Sequence, residues 1–239
     1  DIMLAIDVST SMLAEDLKPN RLEAAKDVAA EFINGRPNDN IGITLFAGET
    51  FTQCPLTVDH AVLLDMIHNI KCGLIEDGTA VGMGIANAVT RLKDSKAKSK
   101  VIILLTDGTN NKGDISPMTA AEIAKSFGIR VYTIGVGTNG MAPYPYPVGN
   151  TVQYVNMPVE IDEKTLTQIA GTTDGNYFRA TSNSKLKEVY EEIDKLEKTK
   201  LNVKEYSKRD EEYHWFALAA FLCVLLEVLL RNSILKKIP

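Results

Sequence analysis

Three oxygen-bearing side chains follow the apolar segment IMLAI at alternate positions, and they are Asp7, Ser9 and Ser11. Two more lie in short polar segments, Thr79 in DGTAVG and Asp107 in LLTDGTNN. Two carboxylates and three hydroxyls make an all-oxygen donor set of low charge, which suits a hard divalent cation. Mg²⁺ fits best because it keeps bound waters and needs only one or two carboxylates. The sequence therefore predicts a magnesium site with one coordination position left open by the protein.

Short apolar runs rich in β-branched residues alternate with amphipathic stretches along most of the chain. This alternation, with strands apolar at nearly every position, predicts a parallel sheet covered by helices on both faces. The segment 49–54 follows the strand 41–47 so closely that it must return beside it as an antiparallel edge strand. We therefore expect an α/β fold with a doubly wound, mostly parallel sheet. The other strands are predicted at 2–6, 100–106, 130–136 and 176–179, and the helices at 20–33, 59–71, 81–93, 117–127, 162–170 and 184–198.

The predicted topology explains how these distant side chains can meet. Loops that leave the carboxyl ends of parallel strands share one edge of the sheet, called the rim below. Asp7 and Asp107 directly follow strands, and Thr79 precedes a helix that descends from the same rim. Taken singly, each residue is also an ordinary turn former or helix cap. The joint pattern favours a shared site, because the strand and helix pattern places all three segments at the rim independently of the motif.

The order Asp-x-Ser-x-Ser, Thr, Asp resembles the metal-ion-dependent adhesion site (MIDAS) of von Willebrand factor type A domains, and the resemblance covers residues 1–198. It implies a Rossmann-like fold in which Ser9, Ser11 and Thr79 contact the metal directly. Asp7 and Asp107 would act partly through water. It also implies Mg²⁺, with Mn²⁺ or Ca²⁺ as alternatives. A partner protein would supply an acidic residue to the open coordination position.

The longer stretches DIMLAIDVSTSM, FTQCPLT and YTIGVGT are similar to those of BatA-type proteins, the membrane-anchored proteins of bacterial aerotolerance operons. This resemblance implies sibling Bat-type membrane proteins as partners. It also implies a MoxR-type AAA+ ATPase, acting indirectly. We therefore expect a non-enzymatic, metal-dependent protein-binding module within a bacterial envelope stress or aerotolerance complex.

The C-terminal segment WFALAAFLCVLLEVLL, with its apolar flanks, approaches the ~20 residues needed to span a bilayer. Basic residues favour the cytoplasmic side, and Arg231, Lys236 and Lys237 lie beyond the apolar segment. This places the type A domain in the periplasm at the bacterial inner membrane, so coupling to a cytoplasmic ATPase must be indirect. The chain starts at Asp1, one residue before a core strand, which we interpret as N-terminal truncation. The predicted segments are a domain at 1–198, a polar linker at 199–212, a transmembrane helix at 213–235 and a cytoplasmic tail at 236–239.

Other classes of function find little support in the sequence. A net charge of −5 offers no basic face to nucleic acid. The three cysteines and three histidines lack zinc-ligand spacing, and no Ser/His/Asp or Cys/His set is evident. GVGTNG (135–140) matches the dinucleotide fingerprint in letters only, because MAPYPYP after it cannot open a helix. A Cys54–Cys72 disulfide stays open, as does the main rival function, a metal-dependent hydrolase that uses the same rim.

The segment 138–158 is long, rich in proline and glycine, and without helical character. We expect a loop that starts at the rim, because it leaves a strand at its carboxyl end. Tyr144, Tyr146 and Tyr154 are typical interface anchors, and the prolines restrict the segment. The prediction is that this loop selects the partner, and the alternative is a mobile loop without one. The next candidate surface is formed by Glu15, Asp16 and Asn110.

Overall fold

The computed structural model describes residues 1–149 and 151–206 and, beyond them, Leu218, Ala220, Phe221, Val224 and Glu227. The chain divides into two units, Asp1–Glu197 and Lys198–Pro239. The strands are β1 (Ile2–Asp7), β2 (Ile41–Phe46), β3 (Thr50–Thr57), β4 (Val101–Thr106), β5 (Arg130–Val136), β6 (Met141–Val148), β7 (Thr151–Pro158) and β8 (Tyr177–Ala180). The helices are α1 (Arg21–Asn34), α2 (His60–His68), α3 (Val81–Leu92), α4 (Pro117–Ser126), α5 (Glu163–Thr172) and α6 (Asn183–Tyr206), with a 3-10 helix at Thr10–Leu13.

Six strands form the main sheet of the first unit, in the order β3-β2-β1-β4-β5-β8. All neighbours in this sheet are parallel except β2 and β3, which are antiparallel. Ile2 at the start of β1 pairs with Ile41 on one side and Val101 on the other. The predicted α/β sheet with one antiparallel edge strand is therefore confirmed.

Burial on both faces explains why the central strands are apolar at nearly every position. Every residue of β1, β2 and β4 is buried. Leu4 and Ile6 point into a core shared with α1, α2 and α6. Met3 and Ala5 point into a second core, shared with α3, α4 and α5. The helices on the two faces hold the sheet rigidly, so the loops at its rim have fixed starting points.

The segment 138–158 is a β-hairpin, so the prediction of a loop is wrong. β6 and β7 form a separate two-stranded antiparallel sheet. Pro143, Pro145 and Pro147 occupy alternate positions of β6, opposite Asn156, Tyr154 and Val152. Alternate residues of a strand direct their backbone groups to the same side. The Pro143 carbonyl accepts a hydrogen bond from the Glu15 amide outside the hairpin, so this side is the outer edge of β6. The N–H groups that the three prolines lack are therefore not needed for pairing with β7.

The start of β5 is joined to α6 by a buried cluster around Glu197. The Glu197 carboxylate accepts hydrogen bonds from Arg130 Nε (2.9 Å), Tyr132 Oη (2.5 Å) and Ser99 Oγ (2.8 Å). Burial opposes ionisation of Glu197, but the hydrogen bonds from Arg130, Tyr132 and Ser99 together hold its pKa below the ordinary value of 4.5. The helix continues past this cluster to Tyr206, beyond the predicted end at 198.

Among the described residues, no helix has the length and hydropathy needed to cross a membrane. The predicted span 213–235 lies outside the described residues apart from the five single positions named above. The tail at 236–239 and the end of the predicted linker, 207–212, also lie outside them.

Candidate metal centre

The first carboxylate of the site lies at the end of β1 and accepts three hydrogen bonds from hydroxyl and amide donors. Asp7 Oδ1 accepts hydrogen bonds from the Ser9 amide (2.9 Å) and the Ser9 hydroxyl (2.6 Å). Asp7 Oδ2 accepts one from the Thr106 hydroxyl at the end of β4 (2.6 Å). Residues 7–9 thus form a local turn in which the amide and the hydroxyl of Ser9 both donate to the side chain of Asp7.

The second carboxylate is reached from the first through two serine hydroxyls. Ser9 Oγ lies 3.0 Å from Ser11 Oγ, and Ser11 Oγ donates to Asp107 Oδ1 at 2.7 Å. The path Asp7–Ser9–Ser11–Asp107 is therefore continuous. The structure brings together four of the five predicted ligands, from segments nearly 100 residues apart in the chain.

Thr79, the fifth predicted ligand, lies against the residue that follows Asp107. A methyl group built on Gly108 would stand 3.3 Å from Thr79 Oγ1. The Thr79 amide donates to Asn111 Oδ1 (2.9 Å), and the Asn111 amide donates back to the Thr79 carbonyl (3.0 Å). Asn111 was not among the predicted site residues. Its only sequence signal is the polar pair in TDGTNN, which is typical of any turn.

Both carboxylates are removed from water. Burial, followed by the charge of Asp107, raises the pKa of Asp7 to about 7. Burial also raises the pKa of Asp107, although the Arg21 guanidinium opposes the shift. Two carboxylates held this close in a buried place are stabilised by added positive charge. The electrostatics of the site thus favour a cation.

Arg21, at the start of α1, lies next to this pair and was missed in the sequence. Its Nη1 donates to Asp107 Oδ2 at 2.6 Å, while Nε and Nη2 make a two-pronged contact with Asp16, both at 2.7 Å. Only 4% of the Arg21 side chain is exposed. With all groups ionised, Asp7, Asp16 and Asp107 (−3) and Arg21 (+1) sum to −2, which equals the charge of one divalent cation in magnitude.

Asp16 extends the network from the rim to the base of the hairpin. Its Oδ2 accepts hydrogen bonds from the Thr138 amide (2.8 Å) and the Thr138 hydroxyl (3.2 Å). Gly137 has φ +140°, and a Cβ there would stand 2.8 Å from Arg21 Nη2. A residue with a side chain at 137 would strain the backbone and displace Arg21. The close approach of Arg21 therefore requires glycine at position 137, directly after β5.

The two cysteines among the described residues, Cys54 and Cys72, contribute neither a disulfide nor a reactive thiol to the site. Cys54 and Cys72 are both free, so the disulfide left open by the sequence is not formed. Cys72 Sγ donates to the Ser9 carbonyl at 3.3 Å. Burial and the nearby Asp7 and Asp107 charges raise the pKa of its thiol to about 12. Across the described ranges, no group of three or more His, Cys, Asp or Glu side chains is arranged to hold a metal, so a cation here would depend on hydroxyl ligands as well.

A model of the von Willebrand factor type A domain matches residues 1–192. The chain belongs to this family. Among solved structures, BatB from Bacteroides thetaiotaomicron is 34% identical with a TM-score of 0.72, over 82% of this chain and 98% of that one. An aerotolerance-related membrane protein from Bacteroides fragilis is 32% identical with a TM-score of 0.71, over 81% and 96%. The chain is thus similar to BatB and to an aerotolerance-related membrane protein, in agreement with the predicted resemblance to Bat-type proteins.

Two further relatives bear on the length and the metal. A UPF0353 protein of Mycolicibacterium paratuberculosis is 32% identical over 79% of this chain and 58% of its own length. The chain thus spans little more than half of that relative. Proximal thread matrix protein 1 from the mussel byssus is 25% identical with a TM-score of 0.64, over 82% of this chain and 45% of that one. Its structure has zinc in the MIDAS motif.

Proposed function

We propose that this protein is a divalent-metal-dependent protein-binding module. The observation that carries the proposal is the buried pair Asp7 and Asp107, joined through the hydroxyls of Ser9 and Ser11. With Thr79 beside them, these residues form an all-oxygen set that fits Mg²⁺, with Mn²⁺ or Ca²⁺ as alternatives. A bound cation would offer its remaining coordination position to a carboxylate of the partner.

The side chains around such a site would have different roles. Asp7 and Asp107 supply the negative charge, and the two serines hold the carboxylates at a fixed separation. Arg21 holds Asp107 by its second oxygen and is itself balanced by Asp16, so that Asp107 keeps its charge for a cation. With Asp7, Asp16 and Asp107 all ionised beside Arg21, the metal-free site would have a formal charge of −2 and would repel an acidic partner. A divalent cation would bring the sum to zero, which supports metal-dependent binding.

We propose binding rather than catalysis because the polar groups at the rim are already committed to one another. The hydroxyls of Ser9 and Ser11 face carboxylates, and the raised pKa of Cys72 keeps its thiol protonated near neutral pH. The rival function, a metal-dependent hydrolase, predicts turnover of generic phosphate or ester substrates in Mg²⁺. Turnover that is lost in the Asp107→Ala variant would favour the hydrolase.

We further propose that the module is anchored in the bacterial inner membrane by residues 213–235, with the domain in the periplasm. The similarity to an aerotolerance-related membrane protein supports an envelope role. We propose sibling Bat-type proteins as partners, with a MoxR-type AAA+ ATPase coupled indirectly. A reporter that is active only in the cytoplasm should work when fused after Pro239. Activity of a periplasm-specific reporter at that position would reverse the orientation.

The metal assignment is tested by calorimetric titration of Mg²⁺ into three variants of neighbouring residues. Ser9→Ala and Ser11→Ala each remove a hydroxyl between the carboxylates and should weaken Mg²⁺ binding by ~10-fold or more. Thr10→Ala is the matched control, because the Thr10 hydroxyl donates to Asp77 Oδ2 (2.7 Å) outside the network. Equal Mg²⁺ affinity in all three variants would refute the assignment. Capture of partner proteins with and without EDTA then tests the binding function.

A further inference from the structure

The hairpin formed by β6 and β7 displays an unusual amount of apolar surface. Seven large apolar side chains on these two strands are exposed, and the strand pairing places four of them on one face: Tyr146 (58%), Val148, Val155 and Met157 (48%). Exposed apolar side chains that are scattered singly are normal, but a contiguous patch marks an interaction surface. The location of this patch, beside the rim, indicates what it contacts.

A cavity of 290 Å³ lies between the hairpin and the metal centre. Tyr144, Tyr146 and Met157 line its hairpin side, and Ser11 and Arg21 line its rim side. Tyr144 and Tyr146 are two residues apart on β6, and Met157 pairs with Ala142 on the same strand, so all three share one face of the hairpin. Ser11 belongs both to this cavity and to the proposed ligand set, so the cavity opens beside the cation position.

The hairpin is tied to the rim by hydrogen bonds, so the cavity is formed in advance of binding. The Glu15 amide donates to the Pro143 carbonyl (2.8 Å), and the Tyr154 hydroxyl donates to Glu15 Oε1 (3.0 Å). The Thr138 amide donates to Asp16 at the base of the hairpin (2.8 Å). A wall that is already in place lowers the ordering cost of binding.

We propose that this cavity receives an apolar, preferably aromatic, side chain of the same partner segment that supplies the carboxylate. This inference rests on the proposed function. Its occupant is an extended acidic peptide, because with Mg²⁺ in place the rim no longer repels a carboxylate and the adjoining wall is apolar and aromatic. The volume lies at the lower limit of the ~300–1,000 Å³ typical of small-molecule sites, which favours a single side chain.

The geometry also sets the spacing within the peptide. Side chains two residues apart on an extended strand lie on the same face, separated by ~6.5–7 Å. Because Ser11 adjoins both positions, the apolar residue is expected two positions from the Asp or Glu. The recognition sequence is thus an aromatic or large aliphatic residue, any residue, and an acid, read in either direction.

Selection of random peptides tests this inference with the full chain immobilised in MgCl₂ and the bound peptides eluted with EDTA. Eluted sequences should be enriched in an acid with an aromatic or large aliphatic residue two positions away. A synthetic peptide with Phe at that position should bind about ten-fold more tightly than its Gly counterpart. Tyr146→Ser should remove this preference while leaving Mg²⁺ affinity unchanged. Val152→Ser, an exposed position on the opposite face of the hairpin, is the matched control and should keep it.

The outcomes separate this inference from the function on which it rests. Acidic peptides that are captured in Mg²⁺ without a preferred neighbour, or with a preference that Tyr146→Ser retains, would overturn the cavity assignment alone. Failure of Mg²⁺ to promote capture of any acidic peptide would overturn both. Self-association of the chain that is lost in Tyr146→Ser would assign the cavity to a second copy and also overturn the inference.

Discussion

Replacement of Arg21 by glutamine is expected to destabilise the domain strongly. The side chains of Arg21, Asp16 and Asp107 are 4%, 3% and 0% exposed. Arg21→Gln removes three charge-assisted hydrogen bonds and leaves two buried carboxylates without their cation. Loss of one member of a buried ion pair costs about 3–5 kcal/mol, because the remaining charge is uncompensated.

The expected change is large enough to measure by thermal unfolding. For a chain of this size, 3–5 kcal/mol corresponds to a decrease in Tm of roughly 6–20 °C. Arg21→Lys keeps the charge but cannot form the two-pronged contact with Asp16, so its Tm should lie between those of Arg21→Gln and the wild type. Lys185→Gln is the control, because the Lys185–Glu188 pair lies on the surface. It should leave Tm unchanged.

Circular dichroism at increasing temperature in EDTA gives the Tm values, and amide hydrogen exchange shows where the damage lies. The Thr138 amide, which donates to Asp16, should lose protection in Arg21→Gln because Asp16 is no longer held. A variant that unfolds within 1 °C or so of the control would refute the argument. Arg21 would then make no measurable contribution to the stability of the domain.

Four further predictions follow from the packing, the charges and the proposed metal site. Gly82→Ala in α3 should cost about 1–3 kcal/mol in thermal unfolding, since its Cβ would stand 2.0 Å from the Ile115 carbonyl oxygen. Gly171→Ala in α5 has open space and should be neutral or stabilising. Glu197 has a lowered pKa in the folded state, so its contribution is full above pH 4.5 and is lost as the pH falls through and below that value. The Tm difference between the wild type and Glu197→Gln should therefore narrow between pH 6 and pH 3, and a constant difference would contradict the assignment. Addition of EDTA should lower the Tm of the Mg²⁺-saturated wild type but not that of Ser11→Ala, and equal decreases would show that Mg²⁺ acts elsewhere.

The sheet could be predicted because each of its strands is specified by a short, local sequence pattern. Each central strand is an apolar run flanked by turn formers, and the alternation with helices allows few topologies. The proximity of Asp7 and Asp107 could be predicted from this topology alone. Asp7 is the last residue of β1, Asp107 directly follows β4, and these two strands pair in parallel. Whether the residues bind a metal is a separate matter, which the Mg²⁺ titration decides.

The buried arginine and the hairpin could not be predicted, for different reasons. Arg21 pairs with Asp107, 86 residues away, and in the sequence it is an ordinary polar residue at the start of a helix. Nothing local distinguishes a guanidinium that is buried from one in solvent. Pro143, Pro145 and Pro147 indicated a loop because proline usually breaks strands. Their spacing of two is compatible with an edge strand, but only the pairing with β7 makes that visible.

The prolines of β6 also make the two edges of the hairpin unequal for assembly. An open-ended stack of β-sheets needs every copy to pair along both edges. The outer edge of β6 lacks three successive donors at Pro143, Pro145 and Pro147, whereas β7 keeps the amides of Val152, Tyr154 and Asn156 on its outer side. Strand pairing between copies is therefore confined to β7 against β7, which closes on itself as a two-fold pair. Growth by edge pairing of the hairpin would therefore stop at two copies.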